Sequence, residues 1–246
     1  MHSYNPTGRQ RVLVIGGGSG MGFALTRSLL ADGVEVTIAG RSKSRLEQAW
    51  KSLQPSERLR TLAVDITQEK QVAQLFEQVG PLDHIVTTAA DIEGAYRLLP
   101  DLEIDAARRV IDSKLIGPLL LAKYGAPVLV PSGSITFTSG IAAYRPAARG
   151  SIVAAVNGAL ASLAYALAVE LGPIRVNVVS PGWVDSSIWQ HVAGDAKAAT
   201  LQGMAERLPV GRVGQPEDIA QAIRFLMCNG FATGSVLHVD GGHRLV

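Results

Sequence analysis

Short apolar segments alternate along the chain with longer segments in which apolar residues recur every three or four positions. The short segments are rich in Val and Ile and predict strands at residues 12–15, 34–39, 59–64, 84–87, 134–138, 174–179 and 235–239. The longer ones predict helices at residues 21–31, 44–53, 69–79, 104–121 and 152–171. Strands that are apolar throughout are typical of a parallel sheet covered on both faces. The pattern therefore predicts a Rossmann-type doubly wound α/β fold with about seven strands.

The length and composition favour a single domain spanning residues 1–246, with hydrophobic residues at 47% and charged residues at 18%. A net charge of +2 argues against a nucleic-acid partner. The polar first ten residues lack the core of a signal peptide. We expect no apolar run long enough to cross a bilayer, no membrane partner and a cytoplasmic location. The single cysteine, Cys228, is expected to be a small buried apolar residue of a helix at 219–227. The polar, Ala-rich segment 186–208 is a candidate substrate lid.

A glycine cluster lies between the first predicted strand and the first predicted helix. Backbone amides approach a pyrophosphate closely only where side chains do not block them, and a helix amino end favours negative charge. The strand–loop–helix context therefore predicts a dinucleotide phosphate site. Its residues are Gly16, Gly18, Ser19, Gly20, Met21 and Gly22.

The end of the second predicted strand indicates which dinucleotide binds. An acidic residue at this point would hydrogen-bond the ribose 2′-hydroxyl of NAD. The chain instead has Arg41 and Ser42, which suit a 2′-phosphate because a guanidinium fork pairs with phosphate and a hydroxyl donates to it. We therefore expect NADP(H) to be preferred over NAD(H).

Four further motifs, in order along the chain, carry a resemblance to a known family. They are Asp65-Ile66, the segment NVVSPGWVDS at 177–186, RVGQPED at 212–218 and VDGG at 239–242. Together with the glycine pattern, they make the chain similar to the short-chain dehydrogenase/reductases from residue 12 to residue 242. The resemblance implies a homodimer or homotetramer paired through the helix at 152–171. It also implies further cofactor contacts from Asp65, Ile66, Ala89, Ala90, Pro181, Gly182, Val184 and Ser186.

The catalytic set of that family is absent. The resemblance implies a tyrosine and a lysine four residues apart on one helix, and no tyrosine of this chain has a lysine four residues later. The family's serine, tyrosine and lysine fall on Gly140, Val153 and Asn157. The asparagine that the family uses on the preceding helix falls on Lys114. The cofactor motifs are therefore kept while the catalytic groups are changed.

Substitute groups define the first hypothesis, an oxidoreductase acting on an unknown carbonyl or alcohol. Lys114 would stabilise the developing alkoxide, Asn157 would bind the ribose, and Tyr144 or Ser139 would donate the proton. We favour this hypothesis because a segment that cups the nicotinamide serves little purpose without the nicotinamide.

Two alternatives remain open. A redox-neutral enzyme, such as an isomerase, cyclase or dehydratase, would use a cleft lined by Trp183, Trp189 and His191, with His191 as its acid or base. A protein without catalytic activity would bind NADP(H) as a redox sensor or a structural subunit.

Overall fold

The strands lie close to their predicted positions. The computed structural model describes residues 10–54, 56–186, 189 and 193–246. Its strands are β1 Arg11–Ile15, β2 Glu35–Gly40, β3 Leu59–Ala63, β4 Leu82–Thr87, β5 Leu129–Thr138, β6 Arg175–Pro181 and β7 Val236–Val239. The described residues form one sheet in the order β3-β2-β1-β4-β5-β6-β7, and all its pairings are parallel. The predicted doubly wound sheet of about seven strands is confirmed.

Helices cover both faces of the sheet. They are α1 Gly20–Ala31, α2 Lys43–Ser52, α3 Glu69–Val79, α4 Ile104–Ile111, α5 Gly117–Gly125, α6 Ser151–Glu170, α7 Lys197–Ala205 and α8 Pro216–Cys228. One apolar core lies between the sheet and α1, α2 and α8, and the other lies between the sheet and α3, α5 and α6. The strand order reverses between β1 and β4, and ligands of such sheets bind in the crevice at that switch point.

The predicted continuous helix at 104–121 is interrupted. Residues Asp112–Ile116 form a π-helical turn in which the Gly117 N–H donates to the Asp112 carbonyl. Pro118 follows at once and has no N–H, so the next regular helical bond is missing in any case and a wider turn is easily accommodated. The π turn contains Lys114, and the helix then continues to Gly125.

Helix α6 is long and strongly apolar. The helix has 20 residues, and an 18-residue stretch of it has a mean hydropathy of 2.0, so by length and composition this helix would suffice to cross a membrane. Its buried residues, which include Val153, Leu160 and Leu167, pack in the fold, and the helix contacts β6. The expectation that no apolar run reaches a membrane-spanning length was wrong for this segment.

Cys228 is exposed, and the expectation that it is buried was wrong. The buried stripe of α8 includes Ile219, Ile223, Leu226 and Met227. Cys228 is the last residue of the helix, and one more residue turns its side chain about 100° away from Met227. The residue therefore leaves the stripe that contacts the sheet.

Candidate active site

The glycine loop is held against the start of the segment that follows β4. The backbone at Gly16 has φ +86°, and a Cβ there would lie 2.7 Å from the Thr88 hydroxyl oxygen. At Gly22 a Cβ would overlap the Gly16 carbonyl oxygen. Neither position has room for a side chain. The loop therefore folds back on the first turn of α1 and leaves its outer surface to the cleft above the sheet.

This cleft has a volume of about 900 Å³ and lies at the carboxyl ends of β1, β2, β3 and β4. Most of the predicted cofactor residues line it. They are Gly16, Gly18, Ser19, Gly20, Met21, Arg41, Ser42, Asp65, Ile66, Ala89, Ala90 and Ser186. The fold thus brings together twelve residues from separate segments of the chain.

Four predicted cofactor residues lie outside this lining in the described part of the chain. Gly22 packs beneath the loop, as its contact with Gly16 requires. The Gly182 N–H donates to the Val239 carbonyl at 2.9 Å, which ties the segment after β6 to the end of β7. The Val184 side chain is buried in the core beside α8, and Pro181 is the last residue of β6.

Arg41, the predicted ligand of the 2′-phosphate, makes an ion pair inside the cleft. Its Nη1 lies 2.8 Å from Oδ2 of Asp91, which follows β4. Burial acts to raise the pKa of Asp91, but hydrogen bonds from Arg41 and the Glu93 N–H bring it below its ordinary value. Ser42 is the N-cap of α2, where its hydroxyl accepts from the Arg45 N–H at 3.3 Å. Arg45 also lines the cleft, so two guanidinium groups stand at this end.

Lys114 is the buried cation of the candidate catalytic region. Its side chain is 8% exposed, and its Nζ donates to the Ser139 carbonyl at 3.3 Å. Burial lowers the pKa of Lys114 to about 8. Lys114 is therefore still mainly protonated at pH 7. Its neighbours in the π turn, Asp112 and Ser113, line the cleft.

Ser139 links Lys114 to Asn157. The Ser139 hydroxyl donates to the Asn157 carbonyl at 3.0 Å, and both residues are buried. The Asn157 Oδ1 has no hydrogen-bond partner among the residues that the structure describes. A Cβ at Gly140 would lie 3.0 Å from the Asn157 Nδ2, so the asparagine amide occupies the space beside this glycine. Val153 is buried in a small apolar cluster.

Tyr144 stands apart from these three residues. Its ring is 41% exposed and packs edge-on against the ring of His238, with centroids 4.4 Å apart. Burial, followed by the nearby Tyr165, raises the pKa of the Tyr144 hydroxyl, so the phenol is protonated at neutral pH. No described hydrogen bond joins Tyr144 to Lys114, Ser139 or Asn157.

Two residues that contact predicted site residues were not themselves predicted. Asp91 follows β4, where no motif marks it, and His238 lies on β7 with a buried Nδ1 that has no described partner. Burial, followed by Arg244, lowers the pKa of His238. The available signal for Asp91 was its position directly after the Thr-Thr-Ala-Ala segment at 87–90, which ends with two predicted cofactor residues.

Part of the predicted lid at 186–208 lies outside the described residues, and so does His191. Where the chain is described, Trp183 stacks on Trp189 with ring centroids 4.0 Å apart, and the Trp189 Nε1 donates to the Val184 carbonyl at 2.8 Å. Helix α7 lies within the same predicted segment. The two tryptophans form a stacked aromatic pair after β6.

The residues present fit a nicotinamide dinucleotide. The loop leaves backbone without side chains at the start of α1, where a helix amino end suits an anion, and Arg41 and Arg45 line the cleft just after β2. A cleft of about 900 Å³ is within the range of cofactor sites. No group of three or more His, Cys, Asp or Glu side chains in the described ranges is placed to hold a metal ion.

Comparisons with known proteins agree with this geometry. A family model described as enoyl-(acyl carrier protein) reductase matches residues 16–244. Short-chain dehydrogenase/reductase ATR9 of Stachybotrys chlorohalonatus is 36% identical over an alignment that covers 95% of this chain and 96% of ATR9. The structure of the MalC reductase/Diels-Alderase from Malbranchea aurantiaca is 30% identical, covers 98% of this chain and 99% of its own, and superposes with a TM-score of 0.91. A small-chain dehydrogenase in complex with NADPH is 34% identical with a TM-score of 0.81, over 97% of this chain and 100% of its own.

Proposed function

The chain belongs to the short-chain dehydrogenase/reductase family of oxidoreductases, and from this premise we propose that it is an NADP(H)-preferring member whose catalytic groups differ from the family's usual set. The substrate is a carbonyl compound or an alcohol of unknown identity. The observation that carries the proposal is the buried Lys114, whose Nζ meets the Ser139 carbonyl while its neighbours line the cofactor cleft.

The preference for NADP(H) is supported by charge at the end of β2. Arg41, Ser42 and Arg45 line this part of the cleft, and the strand end has no carboxylate of its own. A guanidinium pairs with a phosphate through two parallel N–H bonds, whereas a carboxylate at this point would repel it. A structural relative bound to NADPH is in line with this preference.

When bound, the nicotinamide supplies or accepts the hydride. Lys114 holds a positive charge where the substrate oxygen becomes negative, and it acts in a site shielded from water, where charge stabilisation is strong. Asn157 binds the ribose through its amide. The proton comes from the hydroxyl of Tyr144 or Ser139. Gly140, Val153 and Asn157 then stand in place of the family's serine, tyrosine and lysine.

The first test is a titration with NADPH and, separately, with NADH, followed by cofactor fluorescence. We expect tight NADPH binding, much weaker NADH binding, and weaker NADPH binding in Arg41→Ala. No binding of either cofactor would refute the proposal. Binding without turnover of any carbonyl in a broad panel would favour the alternative of a non-catalytic sensor or structural subunit.

The second test concerns the catalytic groups. We expect Lys114→Ala to lower turnover by at least about tenfold because it removes the charge that stabilises the alkoxide. Lys70→Ala is the matched control, because Lys70 is exposed on α3. If Lys114→Ala and Tyr144→Phe both left turnover unchanged, the assigned roles would be wrong.

A second candidate is a redox-neutral reaction on the same scaffold. It is favoured by the likeness to MalC, which is named as both a reductase and a Diels-Alderase. The stacked Trp183 and Trp189 offer an apolar wall of the kind that such a reaction would use. Product formed from a substrate without NADPH consumption would support this candidate over hydride transfer.

Homo-oligomer formation through α6 is also proposed. Val169 is 87% exposed and Tyr165 is 49% exposed on this helix. Ala161 and Ala164 of this helix are buried within the protomer and are not available for pairing. Light scattering coupled to size exclusion would measure the oligomeric state, and Val169→Glu is expected to weaken it.

A further inference from the structure

An ion pair crosses the cofactor cleft between two strands that are not neighbours. Arg41 follows β2 and Asp91 follows β4, and both of these strands pair with β1. The bridge between the Arg41 Nη1 and the Asp91 Oδ2, at 2.8 Å, therefore spans the end of β1, where the glycine loop begins. Both residues line the cleft.

The two partners are held unequally. The side chain of Asp91 is 13% exposed, and that of Arg41 is 57% exposed. The Asp91 N–H donates to the Ser113 hydroxyl at 3.0 Å, and the Asp91 Oδ1 accepts from the Glu93 N–H at 3.3 Å. Asp91 is thus fixed by its own loop and by the π turn, while Arg41 reaches it from the cleft surface.

A 2′-phosphate at the end of β2 would meet this pair. Arg41 is the group that would recognise it, and the fixed carboxylate of Asp91 competes for the same guanidinium. NADH has a hydroxyl in place of the phosphate and does not need Arg41 in the same way. The pair therefore opposes the binding of one cofactor more than that of the other.

We propose that Asp91 is a specificity-determining residue, which lowers the affinity for NADP(H) by holding Arg41 in an ion pair that the 2′-phosphate must displace. This rests on the proposed function, since it presumes that NADP(H) binds in the cleft. The degree of preference for NADP(H) over NAD(H) is then set by two residues, of which one attracts the phosphate and the other competes with it.

The test is a titration of the full chain with NADPH and NADH, followed by cofactor fluorescence and by the shift in thermal unfolding. Asp91→Asn keeps an oxygen acceptor for the Glu93 N–H but removes the charge. We expect it to tighten NADPH binding threefold to tenfold, about 0.6 to 1.4 kcal/mol, and to change NADH binding by less than twofold. Asp105→Asn is the matched control, because it removes the charge from an Asp–Arg ion pair of the same 2.8 Å length, between Asp105 and Arg108, that lies outside the cleft lining. We expect it to change NADPH binding by less than twofold.

A double-mutant cycle separates competition from simple repulsion. If Asp91 acts by holding Arg41, Asp91→Asn has little effect in an Arg41→Ala background, whereas repulsion of the phosphate would persist there. Unchanged or weaker NADPH binding in a folded Asp91→Asn variant would overturn the proposal, and so would equal tightening for NADH. These outcomes differ from a failure of the proposed function, in which the unaltered chain binds neither cofactor.

Discussion

Replacing Lys114 with methionine isolates the free energy of a buried charge. Burial lowers the pKa of Lys114 from 10.5 to about 8. Below pH 8 the lysine is charged in the folded and unfolded states alike, and the folded state is destabilised by about 3 kcal/mol relative to a lysine with its ordinary pKa. Between pH 8 and 10.5 the unfolded chain keeps the proton that the folded chain has released. The free energy of unfolding contributed by this lysine therefore rises with pH over that window.

The Lys114→Met substitution would also remove the hydrogen bond to the Ser139 carbonyl, a loss of about 1 to 3 kcal/mol that does not depend on pH. The pH dependence is thus the diagnostic quantity. Urea unfolding of the unaltered chain and of Lys114→Met at pH 7, 8, 9 and 10 would measure it. Between pH 8 and pH 10, we expect the free energy of unfolding of the unaltered chain to rise by about 2 kcal/mol relative to that of the variant. Lys70→Met, at an exposed lysine, is the control and should follow the unaltered chain.

A difference between the unaltered chain and Lys114→Met that stays constant with pH would refute the reasoning. It would mean that Lys114 keeps its ordinary pKa and that its site is open to water. The electrostatic role proposed for this lysine would then lose its physical basis, because a solvated ammonium stabilises an alkoxide weakly.

Three further predictions follow from two glycines that lack room for a side chain and from one buried histidine. Gly22→Ala is expected to abolish NADPH binding, because its Cβ would overlap a carbonyl oxygen of the glycine loop; Gly203→Ala, on exposed α7 backbone with open space around it, is the control and should bind as before. Gly140→Ser alone is expected to destabilise the chain in thermal unfolding without raising turnover, since its Cβ would meet the Asn157 amide at 3.0 Å, and Asn157→Ala should relieve the destabilisation. Burial lowers the pKa of His84 to about 4, so between pH 6.5 and pH 4 the unfolded chain binds a proton that the folded chain does not bind. The free energy of unfolding should therefore fall by about 1.4 kcal/mol per pH unit from pH 6.5 to pH 4. Acid unfolding curves of a His84→Gln variant should lack this contribution.

The sheet was predictable because local pattern and tertiary environment agree. Val12, Ile38 and Val178 lie in strands rich in Val and Ile, and these side chains pack in the cores on the two faces of the sheet. The predicted elements and the structure differ where a single residue decides the local geometry. Pro118 removes one helical hydrogen bond and allows the π turn, a change that apolar periodicity does not register. At Cys228 the helix ends outside its buried stripe.

The candidate site likewise has one part that the sequence predicts and another that it does not. The glycine loop is contiguous in sequence, so its residues could be assigned to one cleft from their order alone. The pair of Arg41 and Asp91 joins positions 50 residues apart, and the contact of Tyr144 with His238 joins the loop after β5 to β7. Such pairings depend on strand order and side-chain direction, which a single sequence does not encode locally.

The π turn at Asp112–Ile116 sets the rotation of α4 relative to α5. One residue of an α-helix corresponds to a rotation of about 100°. Deleting one residue of the turn, such as Leu115, would restore regular helical geometry and rotate Lys114 by that angle relative to α5, with no alteration in the sheet. The side chain that meets Ser139 is therefore selected by a one-residue difference in length. Within this fold, a change of one residue in the length of a helical turn would move the buried cation away from the Ser139 carbonyl without any substitution of Lys114 itself.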